Sequence, residues 1–110
     1  MIAERDRKVA EALTKQLLAQ NGTRIRKLIL FGSRATGTAG RDSDFDILVV
    51  EAGVVPKREE ALRLRKAISE LPYPVDVWVM SEEEFEETKG VVGGLAYPAN
   101  RHGIVLYENT

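Results

Sequence analysis

Two aspartates two positions apart, Asp44 and Asp46, open an apolar run over residues 45–50. On a strand that spacing turns both carboxylates to one face. Like charges held side by side repel and raise their own pKa, and a divalent cation between them removes the repulsion. The pair is therefore a candidate site for Mg²⁺ or Mn²⁺. A second apolar run, residues 75–80, puts Val75, Val77 and Val79 on one face and Asp76, Trp78 and Met80 on the other. Asp46, Leu48 and Val50 have the same profile, a carboxylate ahead of two large apolar residues. If the two strands are neighbours and parallel, joined by a right-handed crossover, Asp76 falls beside Asp46 and three carboxylates converge. A charge within a strand is costly unless paired or metal-bound.

Upstream, the run Lys27-Leu28-Ile29-Leu30-Phe31, apolar after its lysine, ends in Gly32-Ser33-Arg34. Gly32 permits close backbone approach, Ser33 adds a hydroxyl, Arg34 offers a planar fork, and the free N–H groups of a following helical turn point outward, which together make a cradle for phosphate. Each feature also has a plainer reading. Gly-Ser can be a simple strand-to-helix turn with a solvent-facing Arg34. Asp44 can cap its turn, Asp46 can pair with a neighbouring arginine, and Asp76 can pair with Arg34 or Arg41. A phosphate cradle, two carboxylates and a third on the next strand suit one reaction class above others, metal-assisted nucleotidyl transfer.

The elements that must hold these residues alternate between helical and strand periods, the pattern of an α/β domain. Val9, Leu13 and Leu17 predict an amphipathic helix that stops at Asn21-Gly22. Strands follow over residues 27–31 and 45–50. Pro56 opens a helix over residues 56–71, with Ala61, Leu64, Ile68 and Leu71 on one face and Pro72 ending it. After the strand at 75–80, Ser81 and Glu84 form a capping box for a short helix that ends at Gly90. Residues 90–103, rich in glycine, read as a loop with one helical turn, and residues 104–107 read as a closing strand. Trp78 and Tyr107 are expected in the packing, and His102 in a loop.

The whole chain has 110 residues, 44% hydrophobic and 30% charged, enough for a single domain over residues 1–110 with one core. It has no cysteine and one histidine, so disulfides, thiol catalysis and Cys- or His-rich metal sites are excluded and any metal must be held by oxygen. A formal charge of −1 gives no general attraction to long nucleic acid. No signal peptide or membrane-length apolar run is apparent, so a soluble cytoplasmic protein is expected.

Gly32-Ser33-Arg34-Ala35-Thr36-Gly37 followed by Ser43-Asp44-Phe45-Asp46-Ile47 resembles the signature of the DNA polymerase beta type nucleotidyltransferase superfamily, and in a chain this short the minimal nucleotidyltransferase (MNT) group, small partners of HEPN-domain proteins. The match is detailed over residues 28–50 and 75–80 and looser through Tyr107. The resemblance implies a polymerase-beta-type fold, a short mixed sheet of about four strands flanked by helices, in which the closing strand runs antiparallel. It implies that Asp44, Asp46 and Asp76 bind two Mg²⁺ ions (or Mn²⁺) and catalyse, and that Gly32 and Ser33 hold the triphosphate of ATP. One departure is Thr36, where relatives often carry a basic residue, which bears on how the phosphates are gripped.

The implied activity is transfer of AMP to a hydroxyl of a HEPN-type toxin, the chain acting as antitoxin. Two other functions stay open: a module that neutralises its partner by covering it, and a small-molecule transferase, which would need a separate acceptor-binding unit. The exposed docking candidates are Leu95 and Tyr97 in the glycine-rich stretch, and self-association also stays open.

Overall fold

Each apolar run becomes a strand, and the polar or glycine-bearing segments between them become helices and turns. The computed structural model describes residues 2–21 and 24–109. In chain order the elements are α1 (Glu4–Asn21), β1 (Ile25–Phe31), α2 (Ser33–Thr36), β2 (Phe45–Glu51), α3 (Lys57–Ala67), β3 (Val75–Ser81), α4 (Glu82–Thr88), α5 (Ala96–His102) and β4 (Ile104–Glu108). The strands form one mixed sheet in the order β3-β2-β1-β4, so β3 and β4 are its edges. β1 runs antiparallel to both β2 and β4, as expected of the closing strand. β2 and β3 are parallel, as a crossover through α3 requires.

Period-two alternation sorts the side chains to two faces. On one, Leu28, Leu30, Ile47, Val49, Val77 and Val79 pack against Val9, Leu13 and Leu17 of α1 and Leu64 of α3. On the other, Ile29, Phe31, Leu48, Val50 and Met80 pack against Phe85 of α4 and Ala96 and Ala99 of α5. Phe85 and Leu13 are almost fully buried, and burying such a side chain contributes roughly 1.5–3 kcal/mol. No helix among the described residues is long and apolar enough to cross a membrane.

Several expectations are corrected. α3 ends at Ala67, four residues early; the Ile68 N–H is shared between the Leu64 and Arg65 carbonyls, and the Ser69 hydroxyl donates to the Lys66 carbonyl, so the last turn tightens before Pro72. α1 ends at Asn21 as expected, while Gly22 of the stop signal lies outside the described residues. Ser81 does cap α4, its hydroxyl accepting the Glu84 N–H at 3.0 Å, but the Glu84 carboxylate turns away to Lys57, so only half of the capping box forms. The helical turn within residues 90–103 is α5, which His102 closes rather than lying in a loop. Trp78 is 42% exposed because β3 is an edge strand whose far side no further strand covers. Leu95 and Tyr97 are only half-exposed, and the open apolar residues of that segment are Val91 and Val92.

Gly103, between α5 and β4, lets the chain turn tightly under the sheet. Its φ of −78° suits any residue, but an added Cβ would strike the Ala99 carbonyl and sit 2.5 Å from Ile29 Cγ2 and 3.0 Å from the Leu30 carbonyl. Gly103→Ala is therefore expected to destabilise the fold by about 1–3 kcal/mol through overpacking. Gly90→Ala, where nothing lies within 4 Å, is expected to stay within about 0.5 kcal/mol. Urea denaturation of the two variants checks the difference.

Candidate functional site

β1 delivers the chain to Gly32, whose φ of +76° is a conformation that favours glycine. The Gly32 carbonyl then accepts the Ala35 and Thr36 N–H groups at 3.1 and 3.2 Å, Gly37 closes the single turn of α2 in the left-handed region, and the Ser33 carbonyl takes the Gly37 N–H at 3.0 Å. The first N–H groups of such a turn have no intrahelical acceptor and face outward. Gly32 is required for a second reason: a Cβ there would run into Oδ2 of Asp46. The glycine turn and the β2 carboxylate are in direct contact, because Phe31 and Asp46 are partners across the antiparallel β1–β2 pair.

The parallel β2–β3 pair places Asp46 opposite Asp76, with Leu48 opposite Trp78 and Val50 opposite Met80 on the same face. The expected neighbouring of Asp46 and Asp76 is thus realised. The Asp46 carboxyl is raised above the usual range, first by burial, then by the charges of Asp76 and Asp44. Among the described residues neither Asp44 nor Asp46 has a hydrogen-bond or ion-pair partner. Asp76 is half-exposed, and Arg65 of α3 approaches it at 3.8 Å, not Arg34 or Arg41. A long pair that is this exposed contributes little.

These residues fit a divalent ion of a particular kind. Among the described residues no three His, Asp or Glu side chains close into a cage for a metal ion, although the charges of Asp44 and Asp76 both act on Asp46. Mg²⁺ is commonly held by one or two carboxylates together with substrate phosphates, not by an all-protein cage. An uncompensated carboxylate on the glycine turn, with two more charges near it, has that character.

The fork proposed for phosphate at Arg34 is corrected. Arg34 is buried, its Nη1 donating to Asp6 at 3.1 and 3.4 Å, its Nη2 to the Ser43 and Arg41 carbonyls at 2.8 and 3.2 Å, and its Nε to Ser43 at 3.1 Å. Its guanidinium also lies 4.6 Å from the centre of the Phe45 ring. Every arm of the fork is in use, so Arg34 is a clamp joining the first turn of α1 to the loop that leads into Asp44. Removing one partner of such a buried pair costs about 3–5 kcal/mol. The anchor that sequence reasoning missed is Asp6, which carries no signal in its own surroundings beyond being an acid in a first helical turn.

The raised Asp46 pKa has a definite consequence for the protein without divalent ions. Native Asp46 binds a proton more readily than in the unfolded chain, so its charge lowers stability fully above the raised value. That penalty fades as pH falls and is gone below the ordinary value of 3.8. Asp46→Asn is therefore expected to be more stable than the parent at neutral pH in chelator, with the difference shrinking toward zero as pH falls below 3.8. Denaturant titrations across pH check it, and a clear loss of stability at neutral pH would indicate a structural ion pair instead.

With this geometry in place, likeness to known proteins becomes informative. A family model described as nucleotidyltransferase domain matches residues 8–96. A chain from a crystal structure of a toxin–antitoxin with AMP-PNP is 27% identical at a TM-score of 0.66, over 91% of this chain and 74% of that one. A chain from a mutant MntA–HpeT toxin–antitoxin structure is 25% identical, also at 0.66 and over 91% and 74%. A chain from the complex of tri-AMPylated Shewanella oneidensis HEPN toxin with MNT antitoxin shares the fold at 22% identity, with a TM-score of 0.61 over 93% and 72%. No curated protein matches the sequence. The family match takes in the Gly32 turn, all three aspartates and the crossover between them, and the chain belongs to the nucleotidyltransferase domain family.

Proposed function

We propose that this chain is an antitoxin that transfers AMP from ATP to a Tyr, Ser or Thr hydroxyl of a HEPN-domain partner protein, with Mg²⁺ or Mn²⁺, in the cytoplasm. The observation that carries the reading is the contact between the Gly32 turn and Asp46, with Asp76 next to Asp46 in register. A phosphate-binding turn pressed onto unpaired carboxylates has little structural value of its own. The solved relatives support the choice of nucleotide and partner: one is a toxin–antitoxin with AMP-PNP, and another is an AMPylated HEPN toxin with its MNT antitoxin.

In this reading the outward N–H groups after Gly32 and the Ser33 hydroxyl take oxygens of the leaving phosphates. Asp44 and Asp46 are the residues that would hold the divalent ions. When bound, those ions neutralise phosphate charge and stabilise both the attacking and leaving oxygens. Asp76, half-exposed on the outer strand, accepts the proton of the acceptor hydroxyl. The acceptor oxygen forms a bond to the α-phosphorus, the bond from that phosphorus to the pyrophosphate oxygen breaks, and pyrophosphate leaves with the electron pair. Arg34 acts at one remove, by fixing the loop on which Asp44 sits.

AMP-PNP is expected to bind more tightly in Mg²⁺ than in chelator, because the carboxylates repel phosphate until a cation lies between them. Asp44→Asn is expected to lower transfer of label from α-labelled ATP to a HEPN-domain protein by at least about a hundredfold. Calorimetry and gel autoradiography check the two. Equal affinity in chelator and Mg²⁺ would contradict the metal-bridged site.

A further inference from the structure

The donor side of the site dictates where the acceptor must enter. In displacement at a phosphorus, the attacking oxygen and the leaving group lie on opposite sides. The turn that holds the departing phosphates is at the end of β1, and the carboxylate that receives the acceptor's proton is on β3, with β2 between them. Pyrophosphate leaving on the β1 side requires the acceptor to arrive from the β3 side.

That side is open and shaped. β3 is an edge strand, and no backbone hydrogen bond from outside the sheet engages it among the described residues. A groove of about 620 Å³ runs along it between α3 and the α4–α5 segment, walled by Leu62, Trp78, Met80 and Leu95. Leu62 is 58% exposed and Trp78 42%, both large apolar surfaces left in water. Trp78 follows Asp76 by two residues on the same face, and Arg65, also in the groove wall, reaches Asp76, so groove and site are continuous. On the α3 rim, Arg58 has no ion-pair or hydrogen-bond partner among the described residues.

We propose that this groove seats the acceptor-bearing segment of the partner protein, with an apolar side chain against Trp78 and Leu62 and a carboxylate paired to Arg58. The proposal rests on the AMP-transfer reading above and assigns its acceptor surface. Half-exposed Trp78 is the anchor, since aromatic residues beside a hydrophobic pocket dominate interface energetics and basic rim residues select an acidic partner. The glycine-rich segment at residues 90–95 contributes only the groove's far wall.

Trp78 is the sole tryptophan of the chain, so the full-length protein labelled with fluorotryptophan gives a fluorine NMR signal from this residue alone. The signal is expected to shift or broaden when the HEPN-domain protein is added, and to stay in place when Mg²⁺ and AMP-PNP are added without it. In parallel, Trp78→Ser and Leu62→Glu are expected to raise KM for the HEPN-domain protein about tenfold or more, while AMP-PNP affinity, which also reports folding, is unchanged. Val105→Glu, an exposed change on the opposite sheet edge, should leave KM as it is. Normal transfer with unchanged KM in both groove variants overturns the groove assignment and leaves the transferase reading standing. A signal that moves with AMP-PNP alone would make Trp78 a platform for the nucleoside, and one that moves with protein concentration would make the groove a self-association surface; either overturns the proposal. A parent chain that binds AMP-PNP but modifies no HEPN-domain protein overturns the AMP-transfer reading, and the acceptor groove with it.

Discussion

The like-charge pairing of Asp46 and Asp76, in register across the parallel β2–β3 pair, is the constraint on which the site turns. Parallel register fixes the two residues side by side, and a one-residue slip would send every apolar residue of β3 to the wrong face. The cores on both faces of the sheet therefore hold two like charges together, opposed among the described residues only by the long Arg65–Asp76 pair at 3.8 Å. Burial deepens the conflict at Asp46, and the Asp46 carboxylate lies directly against the Gly32 turn.

Other charged residues in the molecule are handled differently, and the contrast is instructive. Arg34 and Asp6 are buried but fully engaged, with carbonyl acceptors for the remaining guanidinium protons. That network stabilises the approach to Asp44 and rigidifies it, as a satisfied buried network should. The Arg65–Asp76 pair is long and solvated, and the Asp76 carboxylate stays open to solvent. Charges that position are buried and paired; charges assigned to chemistry are left open. The sheet shows the same division in space, with the Gly32 turn at the end of β1 and an uncovered edge on β3.

How much of this was legible in the sequence depended on whether the signal was local. Asp44-Phe45-Asp46 and the matching profile of residues 75–80 announced the parallel pairing and the placing of Asp46 beside Asp76, because period two and a helical crossover are nearly sufficient to fix such a unit. Gly32 was read as a glycine that lets the backbone approach a phosphate; its contact with the Asp46 carboxylate depends on the β1–β2 register and was not legible in its own neighbourhood. The role of Arg34 was misread because its partner Asp6 lies 28 positions away, and nothing in either neighbourhood encodes the meeting. Trp78 was taken for a core residue because an apolar strand does not reveal that it is an edge. α5 was nearly invisible because its buried positions, Ala96 and Ala99, carry too little apolar surface to mark a period.

In the proposed site Asp44 and Asp46, beside the Gly32–Ser33 turn, hold divalent cations jointly with nucleotide phosphates. Anomalous scattering from crystals of the chain grown with Mn²⁺ and AMP-PNP tests this most directly. Manganese peaks are expected at Asp44 and Asp46, shared with phosphate oxygens lying on the Gly32–Ser33 turn. Ordered AMP-PNP bound elsewhere, or at this turn with no manganese at the two aspartates, would contradict it.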